Sequence, residues 1–327
     1  MALSSDTTAP PRRSSRRPGG SAGEADGSDE GELELPRFQA GPQPQRLLLT
    51  LLGDYWWRQQ APIPSAALVR LLLDFDVSEA SARAAFGRLT RRGLLELTRD
   101  GRRTCYRLTS SADRKLTSTL HRILTFGEHR EWDGRWTVVL FSVPENRREL
   151  RHSLRTRLRW LGFAPLHDGT WVSPNPLQAR AALALRELGI DSGVVLTVVE
   201  EMPAGRLLSA WDLDSVAADY QDFLGRYSPL AAPMHAGDIG SAQALRARTA
   251  LMDEWSDFFY SDPDLPSQLL PAGWPQAAAR ALFIELYDGL GLLAAVRFRQ
   301  LIGEIAPDLA ALVRQYGTES LARYTTE

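Results

Sequence analysis

Residues 65–108 carry the pattern that most constrains what this chain can fold into. Apolar residues spaced three and four apart predict a helix from Ser65 through Asp74, whose leucines share one face. After a tight turn, Ser78 is a suitable N-cap for a second helix that runs to about Arg92. Two short helices joined in this way predict a helix-turn-helix motif, whose second helix fits the major groove of DNA.

The second predicted helix has one apolar face and one basic face. Ala82, Phe86 and Leu89 recur at spacings of four and three, which places them toward the core. The opposite face is small in its N-terminal half and basic along its length, as a helix in the major groove requires. Its N-terminus can also present backbone N–H groups to a phosphate. On this helix we expect DNA to be contacted by Ser78, Ser81, Arg83, Arg88 and Arg91.

An arginine-rich hairpin is predicted to follow the two helices. The segments LLELT and TCYRLT alternate between apolar and polar residues, and the turn between them contains the Asp-Gly signal. Arg99, Arg102 and Arg103 cluster at the tip, where they cannot be buried, so we expect them to hold DNA phosphates. A helix-turn-helix followed by a cationic hairpin is typical of a winged helix. The residues alone also allow a small helical subdomain whose basic face is solvated.

Length and composition limit the class of protein. A chain of 327 residues exceeds the usual size of one domain, so we expect two or three domains. Its single cysteine, Cys105, excludes a disulfide framework and a cysteine-rich zinc site, and fits a reducing compartment. The sequence lacks the uninterrupted apolar run that a signal peptide or a membrane span requires. We therefore expect a cytoplasmic protein without membrane contact.

The net charge of −2 conceals an uneven distribution. Residues 45–110 and 111–165 each hold 11 basic and 6 acidic side chains, whereas residues 166–327 hold 11 basic and 21 acidic ones. Such a split lets one half of the chain meet polyanionic DNA while the other half stays away from it. We expect the acidic half to join two copies of the chain, because the basic segments would repel each other.

Periodicity and composition predict an α+β multidomain protein with five segments. Residues 1–42 lack core-forming side chains, which predicts a disordered tail. Residues 43–110 form the predicted N-terminal winged helix-turn-helix domain, and residues 111–131 a connector helix. Strands alternating with helices over residues 132–204 predict a ferredoxin-like α/β middle domain. Residues 205–327 predict an all-helical C-terminal domain, to which we assign dimerisation and effector binding.

Several motifs, in order from about Leu47 to Phe298, resemble those of the PaaX-like family, the repressors of phenylacetate operons. The matching segments are LLLTLLGDY, SARAAFGRLTRRGLLE, GRRTCYRLT, WTVVLFSVPE, GTWVSP and LPSQLLPAGWPQAAARALFIELYD. The resemblance implies an N-terminal winged helix, a middle domain similar to the CRISPR-associated ferredoxin-like nuclease fold, and a helical C-terminal domain. It also implies a homodimeric repressor that an aryl-acetyl coenzyme A thioester releases from its operator.

Arginines recur every four residues along the first predicted helix of the middle domain. This ladder flanks the leucine face of the helix and consists of Arg147, Arg151, Arg155 and Arg159. One interpretation is a solvated helix face. The other is a surface that binds phosphates, either of flanking DNA or of a coenzyme A effector. As the functional hypothesis, we assign the ladder to effector binding.

The sequence lacks the residue patterns of the enzyme classes that were considered for this fold. A nuclease of the middle-domain type needs an acid at the end of the first strand to hold a divalent metal. Ser142 stands at that place, and the nearest acid, Glu145, lies beyond Pro144. The histidines lack metal-binding spacing, and no glycine-rich phosphate loop follows a strand. We therefore predict that the protein is not an enzyme and has no catalytic residue, metal site or cofactor.

Together these features predict a transcriptional regulator that binds an inverted-repeat operator in double-stranded DNA as a homodimer. The main interpretation is repression of an aromatic, phenylacetate-type catabolic operon, relieved by an acyl-coenzyme A thioester. The alternative is a DNA-binding regulator without a small-molecule effector, which acts through a protein partner on its acidic C-terminal half.

Overall fold

Helices dominate the structure and are accompanied by two small antiparallel sheets, as an α+β protein requires. The computed structural model describes residues 43–128, 131–199 and 205–324, with side chains described as far as Leu321 in the last range. The predicted tail, residues 1–42, lies outside the described residues. Within them, no helix is both long and apolar enough to cross a membrane.

The N-terminal region contains four helices and a three-stranded sheet. Its elements are α1 (Pro44–Tyr55), β1 (Ile63–Pro64), α2 (Ser65–Leu73), α3 (Glu79–Arg91), β2 (Leu95–Asp100), β3 (Arg103–Leu108) and α4 (Ser110–Thr125). The predicted helix pair and hairpin are confirmed, and the strand order is β1-β3-β2. Strand β1, which the sequence did not predict, pairs Ile63 with Tyr106 of β3. A dipeptide that contains one proline and follows another lacks the alternation by which a strand is recognised.

The middle region is a four-stranded sheet with two helices. Its elements are β4 (Trp136–Leu140), α5 (Arg148–Trp160), β5 (Ala164–His167), β6 (Thr170–Ser173), α6 (Gln178–Glu187) and β7 (Val194–Val198). The strand order is β5-β6-β4-β7, and every neighbouring pair is antiparallel. A βαββαβ chain with such a sheet is the predicted ferredoxin-like arrangement.

Both faces of the middle sheet are covered, at least in part. Leu154 and Leu158 of α5 pack with Val139 and Trp171 on one face. On the opposite face, Trp136 and its neighbours pack with apolar side chains that follow the middle region in the chain, including Trp211 and Leu269. The middle region is therefore tied by apolar contacts to segments that flank the C-terminal helices.

The C-terminal region is helical, as predicted. Its helices are α7 (Leu213–Tyr227), α8 (Ala231–Ala236), α9 (Ser241–Ser261), α10 (Gln276–Gly289), α11 (Gly291–Gly303), α12 (Pro307–Ala310) and α13 (Thr318–Tyr324). Asp212 caps α7, because its carboxylate accepts a hydrogen bond from the backbone N–H of Ser215 at 3.1 Å. A proline-rich segment separates α9 from α10.

One hydrophobic core joins the N-terminal region to the C-terminal helices. Leu52 of α1, Leu120 of α4, Trp255 of α9 and Phe298 of α11 belong to it, and each is at most 6% exposed. Helix α11 packs against both α9 and α2. The described parts of the predicted N-terminal domain, connector helix and C-terminal domain therefore share a single core.

Candidate nucleic-acid interface

Helix α3 begins with a capped first turn. Ser78 Oγ accepts a hydrogen bond from the backbone N–H of Ser81 at 3.3 Å and donates one to Ser81 Oγ at 2.9 Å. Ser78 has an extended backbone and is exposed, so the start of the helix faces solvent. The predicted N-cap is confirmed, and its position leaves the N-terminus of α3 accessible to an anion.

The two faces of α3 are those that the sequence predicts. Ala82, Phe86 and Leu89 are at most 1% exposed. The Phe86 ring centroid lies 5.2 Å from that of Tyr106 in β3, and this contact fixes the helix against the hairpin. The exposed side chains of the opposite face include Ser81, Arg83, Ala84, Arg88 and Arg91.

The hairpin turns at Gly101 and Arg102, because Asp100 and Arg103 form the last cross-strand pair. Gly101 has a φ of +57°, in the left-handed region that two-residue hairpin turns favour. Arg102, Arg103 and the neighbouring Arg99 are exposed at this tip, as predicted.

Most of these exposed arginines have no local partner. Among the described residues, the structure gives no side-chain hydrogen bond and no ion pair to the guanidinium groups of Arg88, Arg91, Arg99, Arg102 and Arg103. A guanidinium carries five N–H donors, so these side chains leave a large donor capacity on the surface of α3 and the hairpin. Such a surface can bind the phosphates of a polyanion.

Arg83 differs from the other arginines because Glu79 holds it. Nε and Nη2 of Arg83 both donate to Oε1 of Glu79, at 2.9 and 2.7 Å. Glu79 is the first residue of α3 and is exposed. Glu79 was not predicted from the sequence, although opposite charges four residues apart on a predicted helix are a recognisable signal.

Ion pairs from the C-terminal helices hold the segment between α2 and α3. Arg297 of α11 pairs with Asp74, which follows α2, and Arg246 of α9 pairs with Asp76 in the turn at 2.8 Å. These partners are separated by 223 and 170 positions in the chain. Such distant pairs leave no local pattern in the sequence, so neither pair was predicted.

Three family models match consecutive parts of the chain. They are described as PaaX-like protein (residues 43–112), PaaX protein central Cas2-like domain (residues 129–206) and PaaX-like protein C-terminal domain (residues 211–300). This chain belongs to the PaaX-like family. The family predicted from the sequence is thereby confirmed.

Two relatives extend this assignment. The PaaX-like chain is 28% identical over 251 residues to the transcriptional repressor PaaX of Escherichia coli (strain K12). The aligned residues cover 74% of this chain and 78% of the relative. Its fold is similar to that of the uncharacterized protein Rv0674 from Mycobacterium tuberculosis, with a TM-score of 0.52 and 25% identity over 78% of this chain and 96% of that one. The similarity to a repressor along most of the chain supports a transcriptional regulator.

The arginine ladder of this PaaX-like protein lies on α5, and most of its members have local partners. Arg151 Nη2 donates to the backbone oxygen of Val143 at 2.7 Å and to Glu145 at 3.0 Å. The other members are Arg155, which pairs with Asp168, Arg159, whose guanidinium lies 5.4 Å from the ring centroid of Trp171, and Arg147, which is exposed where α5 begins. Effector binding by the ladder stays a prediction, in which phosphates compete with these partners.

One cavity lies where α1, α4 and α9 meet. Its apolar wall includes Leu49, Leu120 and Met252, and Arg46 and Asp253 also line it. The guanidinium of Arg46 lies 3.5 Å from Asp253 and 2.6 Å from Asp257. Burial raises the pKa of Asp253, although Thr50 and Arg46 stabilise its ionised form. The charged groups of the described lining are the carboxylates of Asp54 and Asp253 and the guanidinium of Arg46, so the lining does not fit the phosphates of coenzyme A.

A second cavity, of about 360 Å³, lies beside the proline-rich segment between α9 and α10. Its lining includes Glu128, Asp264, Trp274 and Gln276. Glu128 pairs with Arg280 of α10 at 3.1 Å. This cavity is large enough for a small molecule, but its described lining has carboxylates where a polyphosphate would need cations.

The described residues contain no cluster of three or more His, Cys, Asp or Glu side chains that could hold a metal ion. Ser142 follows β4, and its backbone oxygen accepts a hydrogen bond from Ser192 Oγ at 2.6 Å. The acid that a metal-dependent nuclease needs at this place is replaced by serine, as the sequence indicates.

Proposed function

We propose that this PaaX-like chain is a DNA-binding transcriptional repressor whose N-terminal region is a winged helix. In this proposal α3 enters the major groove and the β2–β3 hairpin lies against the adjacent backbone. The observation that carries it is the group of exposed arginines on α3 and the hairpin whose guanidinium groups have no partner among the described residues. A surface that is merely solvated is the competing interpretation.

The placement of each predicted contact supports a distinct role. The first turn of α3, with Ser78 and Ser81, offers backbone N–H groups and hydroxyls to a phosphate. Arg83 lies close to the N-terminus of α3, the part of a groove-bound helix that contacts base edges. Arg88 and Arg91 lie farther along the helix and suit the backbone, as do the three arginines of the hairpin tip.

Selection of bound fragments from genomic DNA would identify the operator. Competition between the selected fragment and random DNA would then measure the specificity ratio. We expect Arg83→Ala to weaken specific binding by about 1–3 kcal/mol, because a bidentate contact to guanine is lost. Arg226→Ala, which removes an exposed arginine of α7, is the matched control and should change neither affinity. Equal affinity of the wild type for selected and random DNA would contradict the proposal.

A homodimer on an inverted repeat follows from the same proposal. One recognition helix covers too few base pairs to select a promoter among the competing sites of a genome. Within the C-terminal helices, where we expect the contact, Leu292 and Val296 of α11 are 72% and 40% exposed and lie one turn apart. Light scattering of the full chain should give a dimer, and Leu292→Glu should weaken it. Leu183→Glu, at a leucine of α6 that is 43% exposed, is the control.

An aryl-acetyl coenzyme A thioester is the proposed effector, on the strength of the family resemblance. A tenfold loss of operator affinity requires about 1.4 kcal/mol of coupling, and operator DNA must weaken thioester binding by the same factor. Calorimetric titration with phenylacetyl-coenzyme A, with and without operator DNA, tests both effects. Arg147→Ala should weaken thioester binding, because Arg147 is the ladder member that is exposed where α5 begins.

The alternative function is a DNA-binding regulator without a small-molecule effector. The carboxylates in both cavities and the local partners of the ladder favour it. Such a regulator acts through a protein partner on its acidic C-terminal half. Operator affinity that ignores every acyl-coenzyme A thioester would support this alternative and contradict the effector proposal.

A further inference from the structure

We propose that Glu79 positions Arg83 for a guanine and is therefore a specificity-determining residue of α3. The inference rests on the proposed function, because it requires α3 to lie in the major groove. It is carried by the geometry of one ion pair in the first turns of the helix. Glu79 acts through Arg83 and is a positioning residue.

Glu79 occupies only one edge of the Arg83 guanidinium. Nε and Nη2 donate to the same oxygen of Glu79, at 2.9 and 2.7 Å. Of the five N–H donors of a guanidinium, this leaves the two of Nη1 and one of Nη2. The end edge of the guanidinium, formed by Nη1 and Nη2, has no partner among the described residues. Its two parallel donors match the O6 and N7 acceptors that guanine presents in the major groove.

A carboxylate at this place weakens DNA binding, and a gain in selectivity would account for its presence. The side chains of Glu79 and Arg83 are 59% and 56% exposed, so the pair contributes little to the stability of the free protein. In the groove, phosphates on both strands repel the carboxylate. A neutral residue would bind DNA more tightly, but it would leave Arg83 able to contact whichever phosphate is nearest. Glu79 therefore lowers general affinity and raises discrimination.

The ion pair also reduces the conformational freedom that Arg83 loses on binding. A free arginine samples many rotamers, and ordering it opposes association. Because Glu79 already holds the edge of Arg83 that is formed by Nε and Nη2, the end edge is presented in a limited set of orientations. The neighbouring exposed side chains are small, Ala80 and Ala84, so they leave room for the base to approach.

Stabilisation of the helix alone is the competing explanation. A carboxylate in the first turn interacts favourably with the helix dipole whether or not DNA is present. Such a role would lower the midpoint of thermal unfolding in a Glu79 variant. It would change the affinities for operator and random DNA by the same factor, because stabilisation of the helix does not depend on base sequence.

The test measures both affinities as a function of salt for the full chain carrying Glu79→Gln or Glu79→Ala. Glu96→Gln is the matched control, since Glu96 is an exposed acid of the hairpin that pairs with Arg107. We expect the specificity ratio of Glu79→Ala to fall about tenfold, as a weakened bidentate base contact would cause. Its affinity for random DNA should rise, and the slope of log affinity against log salt should steepen by about 0.9 as Arg83 gains a phosphate.

Two further readouts separate positioning from a simple charge effect. Fragments selected by Glu79→Ala should lose the preference for guanine at one position of each half-site, whereas Glu79→Gln, which keeps an acceptor oxygen, should retain part of it. When Arg83→Ala is already present, Glu79→Ala should no longer change the specificity ratio, because the two residues act as one unit.

The outcomes distinguish this inference from the proposed function. A wild-type protein that does not distinguish operator from random DNA would contradict both. An operator preference that survives Glu79→Ala unchanged would overturn the inference alone. An equal rise of both affinities, of the kind expected for Glu96→Gln, would also overturn it, since it would show that Glu79 acts only as a negative charge.

Discussion

The guanidinium of Arg248 in α9 lies 3.3 Å from the carboxylate of Asp54 in α1, and both side chains are at most 1% exposed. Nε and Nη2 of Arg248 donate to the backbone oxygens of Tyr287 and Tyr316 at 2.9 and 3.0 Å. The guanidinium also lies 3.6 Å from the centroid of the Tyr287 ring, and the hydroxyl of that tyrosine donates to Asp54 at 2.8 Å. A buried charge with so many partners joins the N-terminal region to the C-terminal helices.

Removing the arginine should destabilise the protein strongly. We expect Arg248→Met to cost about 3–5 kcal/mol, because Asp54 would be left as a buried carboxylate without a counter-ion. Urea unfolding measures this loss, and the double variant Arg248→Met with Asp54→Leu should recover part of it. The control is Arg246→Met, which breaks an exposed pair with Asp76 and should cost at most about 1 kcal/mol. Similar losses for the two single variants would contradict the prediction.

Acidification should increase the contribution of Asp262 to the free energy of unfolding, contrary to the usual behaviour of a paired carboxylate. Burial raises the pKa of Asp262 to about 6, although hydrogen bonds from Tyr220 and Gln276 favour the ionised form. A group whose pKa is raised by folding contributes stability below its unfolded pKa and loses it as pH rises through the folded value. Relative to Asp262→Asn, the wild type should therefore gain about 2 kcal/mol between pH 7 and pH 4.

Unfolding by urea at pH 7, 5.5 and 4 would measure that difference. Subtracting the Asp262→Asn curve removes the titration of the other acids, provided that they respond equally in both proteins. A difference that is independent of pH would show that Asp262 titrates at the same pH in the folded and unfolded chain.

Local patterns predicted much of the candidate site. The inward positions of Ala82, Phe86 and Leu89 follow from helical spacing, and the exposure of the hairpin tip follows from its charge and turn signal. These features depend on residues that are close in the chain. The pair of Glu79 and Arg83 could have been predicted in the same way, since the two residues are four positions apart.

The contacts that fix the site in the molecule could not be predicted in this way. Arg248 stands in an amphipathic helix where an arginine normally indicates solvent, and its partners come from three distant segments. The shared core has the same origin, because periodicity identifies an apolar face but not the face that covers it. For this reason the sequence suggested separate N- and C-terminal domains where the structure has one core.

The shared core predicts that a chain ending at residue 204 does not fold normally. Leu52 of α1 and Leu120 of α4 would lose contact with the core formed by Trp255 and Phe298. We expect such a truncated chain to lack a cooperative thermal transition and to bind a hydrophobic dye. A cooperative transition near that of the full chain would contradict this expectation. It follows that the dimer contact should be tested with point variants of the full chain.

The hairpin arginines should govern the salt dependence of DNA binding. The side chains of Arg99, Arg102 and Arg103 are exposed, and their guanidinium groups have no partner among the described residues, so in the proposed complex they hold phosphates. Changing all three to glutamine should lower the slope of log affinity against log salt by about 0.9 for each lost contact, up to about 2.7 in total. The ratio of operator to random-DNA affinity should change little, since phosphate contacts carry no base sequence.

A matched substitution tells this effect from a general loss of positive charge. Arg107→Gln removes an arginine of β3 that already pairs with Glu96 at 2.9 Å, so the slope should change much less than the value for a lost phosphate contact. If the triple variant keeps the wild-type slope, the hairpin does not touch the backbone and its arginines are solvated. If the slope falls and the specificity ratio falls with it, the hairpin also contacts base edges, because only such contacts depend on sequence.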